Sequence, residues 1–270
     1  MKRTAIVTIV ILAIGGAVLW ASRHGPLLHV PTLTNRNVSE LAFAVIGDTE
    51  SNTDLYSRAL SETKQSGAKF MIHVGDLTES GTEEEFKAIQ DVEDSSGLPV
   101  YAAVGNHDIR DDPTAERFSR FANATNYAVE VEGIRFVFLN NAERKIGFSE
   151  ETLAWLTREF SEHKGSRYIL IYHRPFGLPF SDVTGDDETS ASRKFNERFL
   201  ELLSGKKIIA VFSGHLHTYV PYRVSGAPTY VTGGGGGALG TLETLLSSEP
   251  HFLMVRVVGS EVRVEVEQLD

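Results

Sequence analysis

Five apolar runs in this chain each end in side chains that could bind a metal ion, and this pattern constrains the fold most strongly. The runs are Leu41–Ile46, Lys69–Val74, Val100–Val104, Tyr168–Tyr172 and Ile208–Phe212. The side chains that follow them are those of Asp48, Asp76, Asn106, His107, Asp108, His173, His215 and His217. In open α/β sheets, ligands bind at the carboxyl ends of the strands. We therefore expect these side chains to meet at one edge of a folded sheet.

Each of these residues also has an ordinary explanation when it is considered alone. An aspartate after a strand is commonly an N-cap or turn residue, and a single histidine is commonly part of a core. Four of the five strand ends carry a glycine, which allows a sharp turn and a close approach to the backbone. The occurrence of potential metal ligands at the same end of all five predicted strands therefore favours a shared site.

The absence of cysteine restricts the chemistry of that site. Disulfides, thiolate metal ligands and cysteine nucleophiles are all excluded. Imidazole, carboxylate and amide groups suit Mn, Fe, Zn, Mg or Ni. Two such divalent ions, held roughly 4 Å apart by a shared carboxylate, could activate water and orient a phosphoryl group.

The segments between the strands show helical and hairpin patterns. Thr82 and Glu85 have the spacing of a capping box, and Asp112 suits the N-cap of a short helix. Glu132 and the glycine after it separate two β-rich runs and predict a hairpin. Further predicted helices cover residues 53–67, about 149–163 and 193–203. This order predicts a mixed α/β fold in which two packed sheets are flanked by helices.

The N-terminus predicts export. Two basic residues precede an apolar run from Ala5 to Ala21, and we interpret residues 1–22 as a signal anchor. Residues 23–40 would form a linker, and residues 41–270 would form the folded domain. The anchor would hold this domain at a membrane on the extracytoplasmic side. A cleaved signal would instead make the domain secreted or periplasmic.

Five sequence blocks occur along the chain in the order GDTE, GDLTE, GNHD, YHRP and GHLH. In this order they resemble the calcineurin-like metallophosphoesterases, the superfamily that includes the purple acid phosphatases. The resemblance covers about residues 41–235. It implies a two-sheet β-sandwich flanked by helices, with a dinuclear centre at which a metal-bound hydroxide attacks a phosphate ester.

The resemblance also implies a role for each matching residue. The metal ligands would form three sets: Asp76 bridging both metals, Asp48 and His217 on one, and Asn106, His173 and His215 on the other. His107 would contact the phosphate or protonate the leaving group. Asp108 would orient His107 and stabilise its charged form.

Glu50 departs from the family pattern, because many members have a histidine two residues after the first aspartate. This carboxylate could replace the histidine as an oxygen ligand and shift the metal preference towards Mn, Mg or Fe. It could instead leave that metal weakly held, or be a solvated turn residue. The purple acid phosphatases also carry a tyrosine where this chain has Glu79. We therefore predict no purple iron site.

Three functions remain open at this stage. A phosphomonoesterase is favoured, with a phosphorylated small molecule or protein as substrate. A phosphodiesterase acting on a cyclic nucleotide or another diester is the alternative within the same fold. A non-catalytic scaffold that has lost its metals is the third, and the nearly complete ligand set argues against it. The net charge of −10 argues against a nucleic-acid partner.

Two further segments bear on the site. The run Gly233–Gly237 lacks the Lys-Ser/Thr that would make it a phosphate-binding loop. It is either a flexible loop or a segment that approaches the metals after the GHLH block. The acidic segment 177–190 is long for a loop and would repel highly charged substrates if it lay over the site.

Overall fold

The computed structural model describes residues 40–178, 189–237 and 249–269. The predicted anchor, the linker up to residue 39 and most of the acidic segment 177–190 lie outside the described residues. Within the described ranges, no helix combines the length and the apolar character that crossing a membrane requires.

The described strands form two mixed sheets. Their bounds are β1 (Glu40–Ile46), β2 (Met71–His73), β3 (Val100–Ala102), β4 (Tyr127–Val131), β5 (Ile134–Leu139), β6 (Arg167–Tyr172), β7 (Lys207–Ser213), β8 (Tyr219–Val224), β9 (Ala227–Thr232), β10 (His251–Val258) and β11 (Glu261–Gln268). The first sheet has the order β11-β10-β1-β2-β3, and the second has the order β4-β5-β6-β7-β9-β8. Strands β1 to β3 run parallel, as do β5, β6, β7 and β9. Parallel strands bring their carboxyl ends to one edge of each sheet.

The helices lie outside this pair of sheets. They are α1 (Thr53–Gln65), α2 (Glu83–Ser96), α3 (Glu116–Phe121), α4 (Glu150–Glu162) and α5 (Ser190–Leu203). Leu60 of α1 and Phe86 of α2 share an apolar cluster with the first sheet. Leu156 of α4 and Phe199 of α5 share another with the second sheet. The prediction of two packed sheets flanked by helices is confirmed.

Strand β1 shows why the sequence builds a layered sandwich. Its side chains alternate, and those on both faces are buried, which a strand between two layers requires. Phe43 packs in the cluster between the sheets, with ring centroids 5.2 Å from Phe136 and 6.1 Å from Phe212. Ala44 and Ile46 face the helical layer instead. One apolar run therefore contributes to two cores.

Local signals fix most of the helix starts. Thr82 and Glu85 form the predicted capping box at the start of α2. The predicted start of the third helix at Asp112 is wrong, because α3 begins at Glu116 after Ala115 in a left-handed conformation. The Asp112 carboxylate still accepts the backbone N–H of Arg117 at 2.7 Å. It caps the helix from a turn that precedes it.

Candidate metal centre

The carboxyl ends of strands from both sheets meet at one site. Two groups of side chains there have potential ligand atoms within 4.8 Å of one another. The first group is Asp76, His173 and His215, and the second is Glu50, Asp76 and His107. Asp76 belongs to both groups. This is the placement that a carboxylate shared by two ions requires.

Asp76 and His173 of the first group are fully buried, and His215 is half-buried. The Nε2 atom of His173 lies 3.1 Å from Oδ2 of Asp76 and 3.1 Å from Oδ1 of Asn106. Burial and the charge of Arg174 hold the pKa of His215 well below its usual range, so its imidazole is neutral. Burial alone would raise the pKa of Asp76, but His173, His107 and His215 together lower it. The charged carboxylate of Asp76 and the neutral imidazole of His215 are in the forms that bind a metal. Burial opposes protonation of His173, but Asp76 raises its pKa, so His173 would release its proton when an ion binds.

Asp48 and His217 lie on the Glu50 side of the site. The Nε2 atom of His217 is 3.5 Å from Oδ1 of Asp48 and 3.4 Å from Oε1 of Glu50. Burial opposes protonation of His217, but hydrogen bonds with these two carboxylates raise its pKa to about 11. The side chain of Glu50 is only 4% exposed. Glu50 is therefore part of the cluster, and the alternative of a solvated turn residue is wrong.

Several of these residues have an unusual backbone. The φ angles of Asp48, Glu50, Asp76 and His215 are 59°, 43°, 56° and 70°. The left-handed region is sparsely populated by residues other than glycine, and such strain is concentrated at functional sites. In this structure four of the candidate ligands have such a conformation.

The glycines before the ligands leave room that a side chain would fill. A Cβ atom on Gly75 would lie 2.7 Å from Nδ1 of His173, and one on Gly214 would lie 2.5 Å from Oδ2 of Asp48. A Cβ atom on Gly105 would overlap Asp76. The Gly-Asp, Gly-Asn and Gly-His pairs therefore reflect how closely neighbouring ligand loops pack.

The run Gly233–Gly237 packs tightly against the loop that carries Asp48 and Glu50. The N–H of Gly235 donates to the Gly47 carbonyl, and the N–H of Gly237 donates to the Asp48 carbonyl, both at 2.8 Å. A Cβ atom on Gly237 would lie 2.8 Å from Cδ of Glu50. Of the two alternatives raised by the sequence, the structure favours the segment that approaches the site.

His107 lies at the outer side of the second group. Its Nδ1 lies 2.9 Å from the Glu79 carbonyl, and its Nε2 lies 2.8 Å from a guanidinium nitrogen of Arg110. Since a guanidinium only donates, Nε2 accepts and Nδ1 carries the proton. Oε1 of Glu50 is 3.5 Å from the same Nε2. His107 therefore faces the site through Nε2.

Asp108 does not orient the ring of His107, and this sequence-based expectation is corrected. Its buried carboxylate accepts the backbone N–H groups of Asp76, Thr78 and Gly105 at 2.9–3.0 Å, and also the Thr78 hydroxyl. Burial and the charge of Asp76 raise the pKa of Asp108 to about 6. Asp108 is a positioning residue that ties two ligand loops together.

Two further buried side chains that position ligands were not identified from the sequence. Asn141 follows β5, and its Oδ1 accepts the backbone N–H groups of His173 and Arg174 at 3.1 and 3.0 Å. Nε2 of His73 lies 3.1 Å from the Thr49 hydroxyl, next to Asp48. A polar residue at one more strand end was the available signal for Asn141. For His73 the sequence offered no signal, because this residue lies inside the predicted strand and not after its end.

The donor set fits a divalent cation. Carboxylates and imidazoles converge from several loops, which is the chemistry that Mn, Fe and Zn accept. Nδ1 of His217 is buried and has no hydrogen-bond partner among the described residues. A buried polar atom without a partner is costly unless a ligand satisfies it. Ions held by these groups would supply an activated water and polarise a phosphoryl oxygen.

The chain belongs to the calcineurin-like phosphoesterase family, because the family model matches residues 41–219. This match contains all five strand-end blocks from GDTE to GHLH.

Relatives in this family carry names from two classes of phosphoesterase. The probable glycerophosphodiester phosphodiesterase GpdQ of Arcobacter nitrofigilis is 27% identical over 54% of this chain and 56% of its own length. The serine/threonine-protein phosphatase CPPED1 of Mus musculus is 28% identical over 55% of this chain and 53% of its own length. This chain therefore matches only about half the length of these relatives.

A solved structure shares the fold. The dimetal phosphatase LOC 393393 of Danio rerio superposes with a TM-score of 0.58 at 15% identity, covering 85% of this chain and 99% of the other. At this identity the likeness concerns the fold alone.

Proposed function

We propose that this protein is a metal-dependent phosphoesterase that prefers phosphomonoesters. The observation that carries the proposal is the position of Asp76, which belongs to both groups of potential metal ligands. Two ions sharing one carboxylate can bind a phosphoryl group between them and supply the attacking water. The GpdQ and CPPED1 relatives are named as hydrolases of phosphate esters, which supports the same reaction class.

The residues of this chain have separable tasks in the proposed reaction. Asp48, Glu50 and His217 would hold one ion, and Asn106, His173 and His215 would hold the other. His107 would contact the phosphoryl group through Nε2, which faces the site and would have to carry a proton there, since a phosphoryl oxygen only accepts. Asp108 and Asn141 would keep the ligand loops in register through their backbone hydrogen bonds.

Charge beside the site supports the preference for monoesters. Arg174 is buried and donates to Oδ1 of Asn106 at 2.8 Å, and Arg110 contacts His107. A monoester carries one more negative charge at phosphorus than a diester does. Guanidinium groups stabilise that additional charge through charge-assisted hydrogen bonds. Cyclic nucleotides and other diesters remain the alternative substrate class.

A comparison of p-nitrophenyl phosphate with bis(p-nitrophenyl) phosphate tests this proposal. The domain would be assayed with Mn, Fe, Zn, Mg and Ni in turn after removal of bound metal. We expect a higher kcat/KM for the monoester, and loss of turnover in Asp76→Ala and His107→Ala. A higher kcat/KM for the diester would overturn the preference. No turnover and no bound ion with any metal would instead favour the non-catalytic scaffold.

Glu50 supports a preference for a hard metal at one position of the centre. A carboxylate where many family members have a histidine favours Mn, Mg or Fe over Zn. We infer that the ion on the Glu50 side exchanges for these metals more readily than the ion held by His173 and His215. Metal analysis after dialysis against equimolar mixtures would test this, and equal selectivity at both positions would contradict it.

The location of the protein remains a separate proposal. The basic residues and the apolar run at the N-terminus support an anchor with the domain on the extracytoplasmic side. Membrane fractionation followed by protease protection of intact cells or spheroplasts tests this. Recovery of the full-length chain in the soluble cytoplasmic fraction would contradict it. A soluble, shortened chain outside the cytoplasm would favour the cleaved signal.

A further inference from the structure

Arg110 is next to both positions of the candidate metal centre. One of its guanidinium nitrogens is 2.8 Å from Nε2 of His107, which belongs to the second group of potential ligands. Arg110 also lines a cavity of about 560 Å³ together with Asn106 and His215, which are candidate ligands of the other position. A phosphoryl group bound at the centre would therefore lie within reach of this guanidinium.

The backbone of Arg110 is fixed, whereas its side chain is exposed. Its N–H donates to the His107 carbonyl at 3.1 Å, and the N–H of Asp111 donates to the Ser80 carbonyl at 3.0 Å. Among the described residues, the guanidinium forms no ion pair with a carboxylate, and its one hydrogen bond is the contact with His107. Moving this side chain therefore breaks a single hydrogen bond while its base stays in place.

That hydrogen bond occupies the atom that the proposed reaction needs. Nε2 is the atom through which His107 faces the site, and the guanidinium nitrogen lies 2.8 Å from it. A phosphoryl oxygen that contacts the same nitrogen needs a similar distance. An imidazole nitrogen makes one hydrogen bond in the plane of its ring, so the oxygen and the guanidinium compete for Nε2. A phosphoryl group that contacts His107 thus displaces Arg110 and becomes the anion next to it.

A second arginine of the same cavity is held differently. Arg174 lines this cavity too, but it is buried and donates to Oδ1 of Asn106 at 2.8 Å. Its guanidinium is tied to a candidate metal ligand. A substrate-dependent contact is therefore assigned to Arg110, whose side chain is exposed and can move.

The two classes of phosphate ester differ in what they offer to a guanidinium. A phosphomonoester has three unsubstituted oxygens on phosphorus, whereas a diester has two and carries an organic group on the third. The additional oxygen of the monoester brings additional negative charge, which a guanidinium stabilises through a charge-assisted hydrogen bond. The second organic group of a diester accepts no such bond with its carbon atoms and takes up the space beside the guanidinium.

We propose that Arg110 is a specificity-determining residue, which leaves His107 and binds an unsubstituted phosphoryl oxygen when a phosphomonoester enters the centre. Without substrate it rests on Nε2 of His107. With substrate it and His107 bind the phosphoryl group together, and a diester lacks the oxygen that Arg110 would hold. The inference rests on the proposed function, because it assumes that the phosphoryl group lies at the metal centre.

Kinetics of Arg110→Gln on p-nitrophenyl phosphate and bis(p-nitrophenyl) phosphate test the proposal. Glutamine can still donate a hydrogen bond but carries no charge. We expect kcat/KM for the monoester to fall about tenfold more than kcat/KM for the diester, as the loss of one charge-assisted hydrogen bond implies. Arg110→Lys keeps the charge without the planar fork and should lie between the two. Equal losses on both substrates would overturn the proposal, because a purely structural role affects both alike.

A matched control separates the contact from the overall charge of the chain. Arg158 is an exposed arginine of α4 that does not line the cavity. Arg158→Gln removes the same charge and should leave the ratio of the two kcat/KM values unchanged. The same shift of this ratio in both variants would assign the preference to net charge and would overturn the role of Arg110.

A binding experiment separates this inference from the proposed reaction. Phenylphosphonate and methyl(phenyl)phosphinate differ in one oxygen, which a methyl group replaces in the phosphinate, and neither contains an ester bond. Calorimetry on the metal-loaded chain would give the ratio of their affinities in the wild type and in Arg110→Gln. We expect the preference for the phosphonate to fall about tenfold in the variant.

The outcomes distinguish the two proposals. A reduced preference for the phosphonate in Arg110→Gln would support the role of Arg110 even if no turnover were found. Turnover of p-nitrophenyl phosphate with an unchanged affinity ratio in Arg110→Gln would sink this role and leave the phosphoesterase function standing.

Discussion

The two groups of candidate ligands are positioned in different ways. The group of Asp76, His173 and His215 follows the ends of strands. The side chain of Asn141 accepts the backbone N–H of His173, and that of Asp108 accepts the backbone N–H of Asp76. In the second group, Glu50 lies on a loop against which the run Gly233–Gly237 packs. One group is thus fixed by the sheets, and the other by a segment distant in sequence. The Glu50 position therefore depends on a contact between two loops, whereas the other position depends on the strand ends of the sheets.

The largest expected effect comes from the residue that the two groups share. Asp76→Asn keeps the size of the side chain but removes the charge between the two positions. We expect both ions to be lost and kcat/KM to fall by about 10³-fold or more, because several kcal/mol of transition-state stabilisation disappear. Metal content by mass spectrometry and steady-state kinetics measure this. Retention of one ion at full occupancy would show that the groups are independent.

A smaller effect should separate the two positions. Glu50→Gln removes an anionic ligand that belongs to the second group alone. One ion should therefore bind about 10- to 100-fold more weakly, while the affinity for the other ion stays the same. Metal titration by calorimetry on the metal-free domain resolves the two sites. Glu50→His restores the common ligand type and should shift the selectivity of the weakened site from Mn towards Zn. An unchanged metal profile in both variants would remove Glu50 from the centre.

The glycine run offers a test that leaves every ligand in place. In Gly237→Ala the new Cβ atom would meet Cδ of Glu50, so the loop must shift. We expect about tenfold weaker binding at the Glu50 position and no change at the other. Gly226→Ala is the control for backbone strain alone, since Gly226 has a φ of 82° at a hairpin turn and nothing lies within 4 Å of its Cβ position; it should leave metal binding unchanged. Equal effects at both positions would mean that the run supports the whole centre.

A last effect lies outside both groups, leaves metal binding untouched and concerns stability against pH. Burial raises the pKa of Glu93 from 4.5 to about 7, although the Tyr56 hydroxyl donates to its carboxylate at 2.7 Å. Between these pH values the unfolded carboxyl ionises while the folded one keeps its proton, so stability falls as pH rises. Glu93→Gln should remove this slope and stabilise the domain at pH 8 by about 2 kcal/mol.

Urea unfolding of the metal-free domain from pH 5 to pH 8 measures that slope. Glu62→Gln, at an exposed position of α1, is the matched control and should leave it unchanged. A slope that persists in Glu93→Gln would assign the pH dependence to the carboxylates of the centre.

The strand-end pattern allowed the fold and most of the site to be predicted from sequence. Parallel strands bring their carboxyl ends together, so the order of Asp48, Asp76, Asn106, His173 and His215 along the chain was enough to expect a cluster. Buried apolar runs and capping boxes are local signals of the same kind. The start of α3 was misplaced because Asp112 caps the helix from outside it.

The sequence by itself determined which types of metal ligand were available and that they would meet at the carboxyl edge of the sheets. The reason is that the apolar pattern of each strand, and the polar residues that follow it, are features of short stretches of the chain. Only the tertiary structure decided that Asp108 holds backbone rather than His107, that Gly233–Gly237 packs on Glu50, and that arginines share one cavity. These are contacts between loops far apart in sequence. Which loops touch each other depends on how the two sheets pack. The relative position of two sheets cannot be read from any short stretch of sequence.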